Sequence, residues 1–126
     1  MSAKFVILVS MLFFHVVDDF YLQGWLASAK QKEWWEKNAP DKMYRFDYIV
    51  ALLMHSFSWT FMIYLVPAGY IIIWGGNLYP LLFIGNILLH MFIDDLKANK
   101  KKINLIQDQA IHVLQVILTW VVLCIL

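Results

Sequence analysis

Four apolar stretches take up most of this sequence, and they limit its fold more than any other feature. Hydrophobic residues make up 62% of the 126 residues and charged residues 15%, whereas soluble domains contain about 45–50% and about 25%. A helix needs about 20 apolar residues to cross a bilayer. The sequence therefore predicts an all-α fold, an integral membrane four-helix bundle in which residues 1–126 form a single transmembrane domain.

The limits of these spans follow from polar turns and helix-breaking residues. The segment Pro67–Gly69 is predicted to end the second helix. Gly75, Gly76 and Pro80 make the start of the third helix irregular, so that it could begin near Leu78. The predicted spans are residues 4–29, 45–66, 70–97 and 104–126.

The basic residues are unevenly distributed between the two ends of the predicted helices. Of the ten lysines and arginines, only Lys4 lies outside the first and third loops and their flanks. Because positively charged loops stay in the cytoplasm, we expect these two loops to be cytoplasmic, with both termini outside and the protein in a bacterial inner membrane. The basic residues in or beside these loops are Lys30, Lys32, Lys37, Lys42, Arg45, Lys97, Lys100, Lys101 and Lys102.

The first loop contains a tryptophan-rich segment. Trp34 and Trp35 stand among Lys32, Glu33 and Lys37, a composition typical of a short helix that lies in the membrane interface. We interpret the two rings as part of an aromatic belt at headgroup depth, with a substrate-binding lid as the alternative.

Ionisable residues recur inside the predicted spans at a fixed spacing. In three helices a histidine and an aspartate are four residues apart, so that both side chains share one helix face. At about 1.5 Å per residue, these groups all lie about 10–15 Å from the predicted cytoplasmic helix ends. The pairs are His15 with Asp19, His90 with Asp94 and Asp108 with His112, and His55 adds one imidazole from the second helix.

Such a cluster is typical of a metal site. Imidazole and carboxylate together suit a divalent zinc, manganese or iron ion, and helical bundles build two-metal sites from such pairs. The residues would serve two ions, or one ion with aspartates that orient the imidazoles. The alternatives are a hydrogen-bond network that joins the helices and a proton or ion path. The predicted metal ligands are His15, Asp19, His55, His90, Asp94, Asp108 and His112.

Further polar residues extend the same helix faces. We expect them to bind the substrate or to support the ligands, whereas Asp95 is expected at the cytoplasmic boundary. These supporting residues are Asp18, Gln23, Asn86, Lys97 and Gln109.

Taken in order, these motifs resemble a known family. They read H-x-x-x-D-F-x-x-Q from His15, H-x-x-x-D-x-x-K from His90 and D-Q-x-x-H from Asp108, with His55 between the first two. This arrangement resembles a family of small four-span proteins of bacteria and their phages, defined by a domain of unknown function. It is more distantly similar to membrane-bound metal-dependent hydrolases. The chain differs from the family pattern at Asp18, where a small residue is usual. The resemblance implies that the motif residues are functional.

Two kinds of function are compatible with the sequence. The first is an intramembrane metal-dependent hydrolase, in which an ion activates water and Asp19, Asp94 or Asp108 serves as general base. Its substrate would be a phosphoester or lipid headgroup reached from the cytoplasm, because the loop lysines attract anions. The second is a non-enzymatic metal or proton carrier, or a phage or bacterial effector that acts through membrane partners. We expect membrane lipids as partners and no nucleic acid, and a homo-oligomer is compatible with so short a chain.

Overall fold

The computed structural model describes residues 1–126 and contains helices and no strand, which confirms the predicted all-α class. Four long helices form the bundle, and two short helices lie in the first loop. The α-helices are α1 Ala3–Val17, α2 Leu26–Ala29, α3 Lys32–Asn38, α4 Asp47–Trp74, α5 Pro80–Ala98 and α6 Leu105–Trp120.

The first long helix changes its geometry where the acidic residues begin. The Ser2 side chain caps α1, which continues beyond Val17 as a π-helical turn, Asp18–Leu22. Gly24 then ends the helical run with a φ of 52°, a left-handed conformation that glycine adopts at little cost. The predicted helix over residues 4–29 is therefore wrong at its end, because α2 is a separate helix beyond this break.

The second long helix runs through the proline that was expected to end it. Pro67 lies inside α4, which continues to Trp74, so the predicted end at residue 66 is wrong. A proline inside a helix loses one backbone hydrogen bond. Ile63, Tyr64 and Ile71 are buried in the turns on both sides of Pro67, and their packing holds the helix together across that gap.

The later start of the third long helix follows from this extension. Residues 70–74 belong to α4, and Gly75 and Gly76 form the connection with φ values of 88° and 141°. Pro80 occupies the first turn of α5, where its missing N–H is not needed. The predicted start at residue 70 is therefore wrong. Reciprocal hydrogen bonds between Asn104 and Gln107 begin α6, which continues as a second π-helical turn, Val121–Ile125.

The four long helices pack in a closed ring. α1 contacts α4 and α6, and α5 contacts the same two helices from the other side. An apolar cluster fills one part of the interior. Its buried members are Ile7, Met11, Trp59, Ile63, Tyr64, Ile71, Val116, Leu123 and Cys124.

The rest of the interior is polar, and the outside of the long helices is apolar. Of the 28 buried residues, 14 are polar or charged, which is the reverse of a soluble domain. Three helical stretches are long and apolar enough to cross a membrane: Ala3–Leu22, Lys42–Trp74 and Leu105–Ile125. The fourth long helix, α5, carries Asp94, Asp95 and Lys97 near its end. Large side chains exposed on the outer surfaces include Phe5, Phe13, Leu53, Phe57, Phe61, Leu88, Phe92, Leu114 and Leu118.

We expect Gly24→Ala to lower the free energy of unfolding by about 1 kcal/mol, because alanine is strained in the left-handed conformation. No atom lies within 4 Å of an added Cβ at Gly24, so the loss would come from the backbone alone. Thermal unfolding in detergent measures this loss of stability. The control is Gly85→Ala in the middle of α5, where the added Cβ also meets no atom; alanine should raise stability there by about 0.5–1 kcal/mol. Equal effects at both positions would contradict this explanation.

Candidate metal centre

The four long helices bring their histidines and aspartates to one place in the interior. Each helix contributes at least one group, and none of these side chains is more than 7% exposed. Burial of so many ionisable groups is expensive unless they are paired or bind a cation. The residues are His15, Asp18 and Asp19 from α1 and its π-helical turn, His55 from α4, His90 and Asp94 from α5, and Asp108 and His112 from α6.

Three imidazoles connect the carboxylates across the centre. His55 Nε2 lies 3.1 Å from Asp19 Oδ1 and 3.2 Å from His90 Nε2. The ring of His90 stacks on that of His112, with 4.0 Å between the ring centroids. His112 Nε2 in turn lies 3.1 Å from Asp94 Oδ1. Groups from all four helices therefore form one continuous cluster.

The cluster contains four groups of three side chains that could hold a metal ion. Within each group the possible ligand atoms lie within 4.8 Å of one another. Two or three such ligands, mixed between imidazole and carboxylate, are typical of zinc, manganese and iron sites. The groups are Asp19 with His90 and His112, His55 with His90 and Asp94, Asp18 with Asp19 and His55, and Asp94 with Asp108 and His112.

His15, also predicted as a ligand, lies at the edge of the cluster and belongs to none of these groups. Its Nδ1 accepts a hydrogen bond of 2.8 Å from Trp59 Nε1 and lies 3.8 Å from Asp19 Oδ2. Trp59 also stacks on His90 at 4.1 Å between centroids. Sequence reasoning missed Trp59, although it follows His55 by four residues and so shares its helix face.

Two lysines enter the cluster from the same end of the bundle. Lys30 Nζ lies 2.8 Å from Asp94 Oδ2, and Lys97 Nζ lies 2.9 Å from Asp108 Oδ2. Lys97 was expected at the site, but Lys30 was counted only as a loop charge. Lys30 is 4% exposed. No sequence signal separates it from the other lysines of the first loop, because its burial depends on how that loop folds back.

The first loop is fixed over this end of the cluster by hydrogen bonds to Asn99, just beyond α5. Asn99 Nδ2 donates to the Lys30 carbonyl, and Lys32 N donates to Asn99 Oδ1. Trp35 Nε1 donates to the Ala29 carbonyl, which ties α3 to α2. The backbone around Lys30 is therefore held in place, and its side chain points into the cluster.

Of the predicted supporting residues, Lys97 and Gln109 contact the carboxylates directly, and Asp18 adds a further buried carboxylate. Gln109 Nε2 donates to Asp19 Oδ2 at 2.9 Å and to Asp108 Oδ2 at 3.1 Å. Asp18 is buried with the cluster and accepts a hydrogen bond of 2.6 Å from Ser58 Oγ. Sequence reasoning missed Ser58.

The other polar residues lie apart from the cluster. Gln23 donates only to the backbone carbonyl of Asp19. Asn86 bonds with Gln115 and Thr119 in a separate polar group between α5 and α6. Asp95 is bonded to Asn99 and paired with Lys100 at the end of α5.

Comparisons of this chain with protein-family models, with curated proteins and with solved structures find no match. The geometry of the cluster is therefore the basis for inferring a function.

We expect Lys30→Met to lower the free energy of unfolding of the metal-free protein by about 3 kcal/mol, because it leaves Asp94 without its ammonium partner in a buried site. The control is Lys101→Met. Lys101 Nζ lies 2.7 Å from Glu33 Oε1, but both side chains are exposed, and such a pair contributes less than about 1 kcal/mol. Chemical unfolding in detergent compares the free energies of unfolding of the two variants. Equal small effects would show that the Lys30 contact does not stabilise the fold.

Proposed function

We propose that this protein is an integral membrane four-helix bundle and an intramembrane divalent-metal-dependent hydrolase. The observation that carries the proposal is the buried cluster of histidines and aspartates, which four helices assemble in an otherwise apolar layer. Carboxylates at such depth are costly and in membrane proteins mark functional sites. A bound cation would offset their charge.

The outer surface supports the membrane part of this proposal. Exposed aromatic and aliphatic side chains cover the long helices, and a lipid environment removes their contact with water. We propose α5 as the fourth span, because its 19 residues are about 28 Å long, close to the thickness of the hydrocarbon core. The lysines of the first and third loops support a cytoplasmic position for those loops in a bacterial inner membrane.

The chemistry proposed for the cluster is hydrolysis. The residues of the candidate groups could hold a divalent ion, and such an ion would supply an activated water molecule and would polarise the bond to be cleaved. An aspartate that does not ligate the ion would take the proton of that water, and Asp94 is suited to this because it contacts both His112 and Lys30. The apolar helices around the cluster would exclude bulk water from the reaction.

We propose a phosphoester or a lipid headgroup as substrate. Lys30 and Lys97 bring two ammonium groups into the cluster from its loop end, and ammonium groups attract phosphate. A substrate entering there would come from the cytoplasmic leaflet or the cytosol. The order of the H-x-x-x-D, H-x-x-x-D and D-Q-x-x-H motifs supports membership of the family of small four-span bacterial and phage proteins.

One observation favours a second candidate, a metal or proton carrier. The separate polar group of Asn86, Gln115 and Thr119 continues the polar interior beyond the histidines. A carrier needs such groups along its path. Flux of zinc or protons into proteoliposomes would favour the carrier over the hydrolase.

We expect the detergent-purified protein to contain a stoichiometric divalent metal, and His55→Ala to lose it, because this imidazole belongs to two of the candidate groups. Elemental analysis measures this. Asp95→Asn is the control, because Asp95 lies outside the cluster and should leave the metal content unchanged. An absence of metal from folded wild-type protein would contradict the proposal of a metalloenzyme.

If metal is present, a panel of phosphoesters and lipids can be tested for hydrolysis. We expect Asp94→Asn to lower turnover at least about 100-fold, the size of effect typical of losing a general base. Unchanged turnover in a folded, metal-loaded Asp94→Asn protein would exclude this role for Asp94.

A further inference from the structure

Two of the four candidate groups share no residue with each other, and the other two groups connect them through His90. Asp18, Asp19 and His55 form one group of possible ligands, contributed by the π-helical turn after α1 and by α4. We call this group the α1–α4 half. The α5–α6 half consists of Asp94, Asp108 and His112. Each half has two carboxylates and one imidazole, so the donor chemistry alone does not distinguish them.

The two halves differ in their charge. In the α5–α6 half each carboxylate pairs with an ammonium, Asp94 with Lys30 and Asp108 with Lys97. Its two negative charges are therefore matched by two positive charges. Asp18 and Asp19 form no ion pair with a lysine or an arginine. The α1–α4 half thus keeps two carboxylates whose charges no lysine or arginine balances, and only imidazoles lie beside them.

The α1–α4 half also contains two polar atoms that lack a partner and face each other. Asp18 Oδ2 and His55 Nδ1 lie 3.6 Å apart, and neither makes a hydrogen bond. Both side chains are almost fully buried, with 1% and 0% of their surface exposed. Unpartnered buried polar atoms are rare in proteins and call for an explanation.

A proton shared between these two atoms does not explain why both lack a hydrogen-bond partner. An ionised carboxylate only accepts hydrogen bonds, and a proton on His55 Nε2 can be donated to Asp19 Oδ1 at 3.1 Å. In that tautomer His55 Nδ1 carries a lone pair that faces the lone pairs of Asp18 Oδ2. At 3.6 Å the two atoms are also too far apart to share a hydrogen. A metal cation between them would attract both.

The separation of the two atoms suits a shared metal ion. Zinc lies about 2.0–2.2 Å from imidazole nitrogen and carboxylate oxygen, which puts two ligands of a tetrahedral ion about 3.4 Å apart. The observed distance between Asp18 Oδ2 and His55 Nδ1 is 3.6 Å. The α5–α6 half also has two atoms without a hydrogen bond, Asp108 Oδ1 and His112 Nδ1. Asp108 Oδ1, however, lies 3.3 Å from the other ring nitrogen, His112 Nε2, which already bonds Asp94.

We propose that the protein binds one divalent ion, in the α1–α4 half, with Asp18, Asp19 and His55 as its ligands. Ser58 orients Asp18 through its hydrogen bond, and Gln109 does the same for Asp19. The α5–α6 half keeps its two lysines as internal counter-cations and takes no ion. This inference deepens the proposed function, since it makes Asp18 a metal ligand and leaves Asp94 and Asp108 free of the metal.

The test is equilibrium dialysis of the metal-free protein against zinc, followed by elemental analysis. Zinc binds nitrogen and oxygen sites more tightly than manganese or iron, so it reports the site whichever ion is native. We expect one zinc per chain in the wild type. Asp18→Asn should weaken zinc binding at least about 100-fold, because the loss of a supporting contact alone costs about 10–100-fold. The matched variant Asp108→Asn should keep one zinc with an affinity within about threefold of the wild type, because it removes no proposed ligand.

A second variant tests the charge argument without removing any carboxylate. Replacing both lysines, Lys30→Met with Lys97→Met, leaves the α5–α6 half with two unbalanced negative charges. We expect this variant to bind two zinc ions. Circular dichroism identifies variants that do not fold, and the zinc content of the wild type is informative even if a variant fails.

The outcomes separate this inference from the proposed function. Absence of zinc from the wild type would overturn both. Two zinc ions in the wild type, or a single zinc lost in Asp108→Asn but retained in Asp18→Asn, would overturn the assignment to the α1–α4 half and leave a metalloenzyme intact. One zinc in the lysine double variant would contradict the role of the lysines as counter-cations.

Discussion

Compensation of buried charge is the constraint on which this structure depends. Four aspartates lie in the interior, each at most 7% exposed, and an isolated carboxylate there would cost several kcal/mol. No single helix can provide all the hydrogen-bond and ion-pair partners that these carboxylates need. The carboxylates are reached by imidazoles, hydroxyl, amide and ammonium groups from all four long helices and from the first loop. The helices must therefore meet at one level, and this requirement sets their register.

The π-helical turn after α1 shows how the backbone adapts to this requirement. In a regular α-helix, two neighbouring side chains point in clearly different directions, so one of two adjacent aspartates would face outward. A π-helical turn holds an additional residue, and Asp18 and Asp19 are both buried. Asp18 consequently reaches Ser58 while Asp19 reaches His55 and Gln109. Such turns occur frequently at functional sites.

The sequence predicted the centre well where helical periodicity decides the outcome. The pairs His15 with Asp19, His90 with Asp94, and Asp108 with His112 face inward together because residues four apart share a helix face. Whether these residues bind a metal stays a prediction. Asp18 was placed only as a supporting residue, because the local change to π geometry has no clear signal in the sequence.

The features that sequence reasoning missed depend on contacts between distant segments. Pro67 was expected to end a helix, but buried neighbours on both sides hold α4 together. Lys30 looks like its neighbouring loop lysines, yet it lies against Asp94, 64 residues further along the chain. The sequence shows that the first and third loops are basic, but a count of charges does not reveal which lysine folds inward.

The burial of Lys30 makes the first connection between the long helices part of the interior, and this decides where the chain can be modified. A fluorescent protein or an epitope inserted next to Lys30 would pull an ammonium out of the bundle and break its backbone bonds to Asn99. The connection between α4 and α5 is different, because residues 75–77 are exposed and make no side-chain contact with the cluster. Insertions succeed at exposed sites of this kind, so that short glycine-containing connection is the place to attach a reporter.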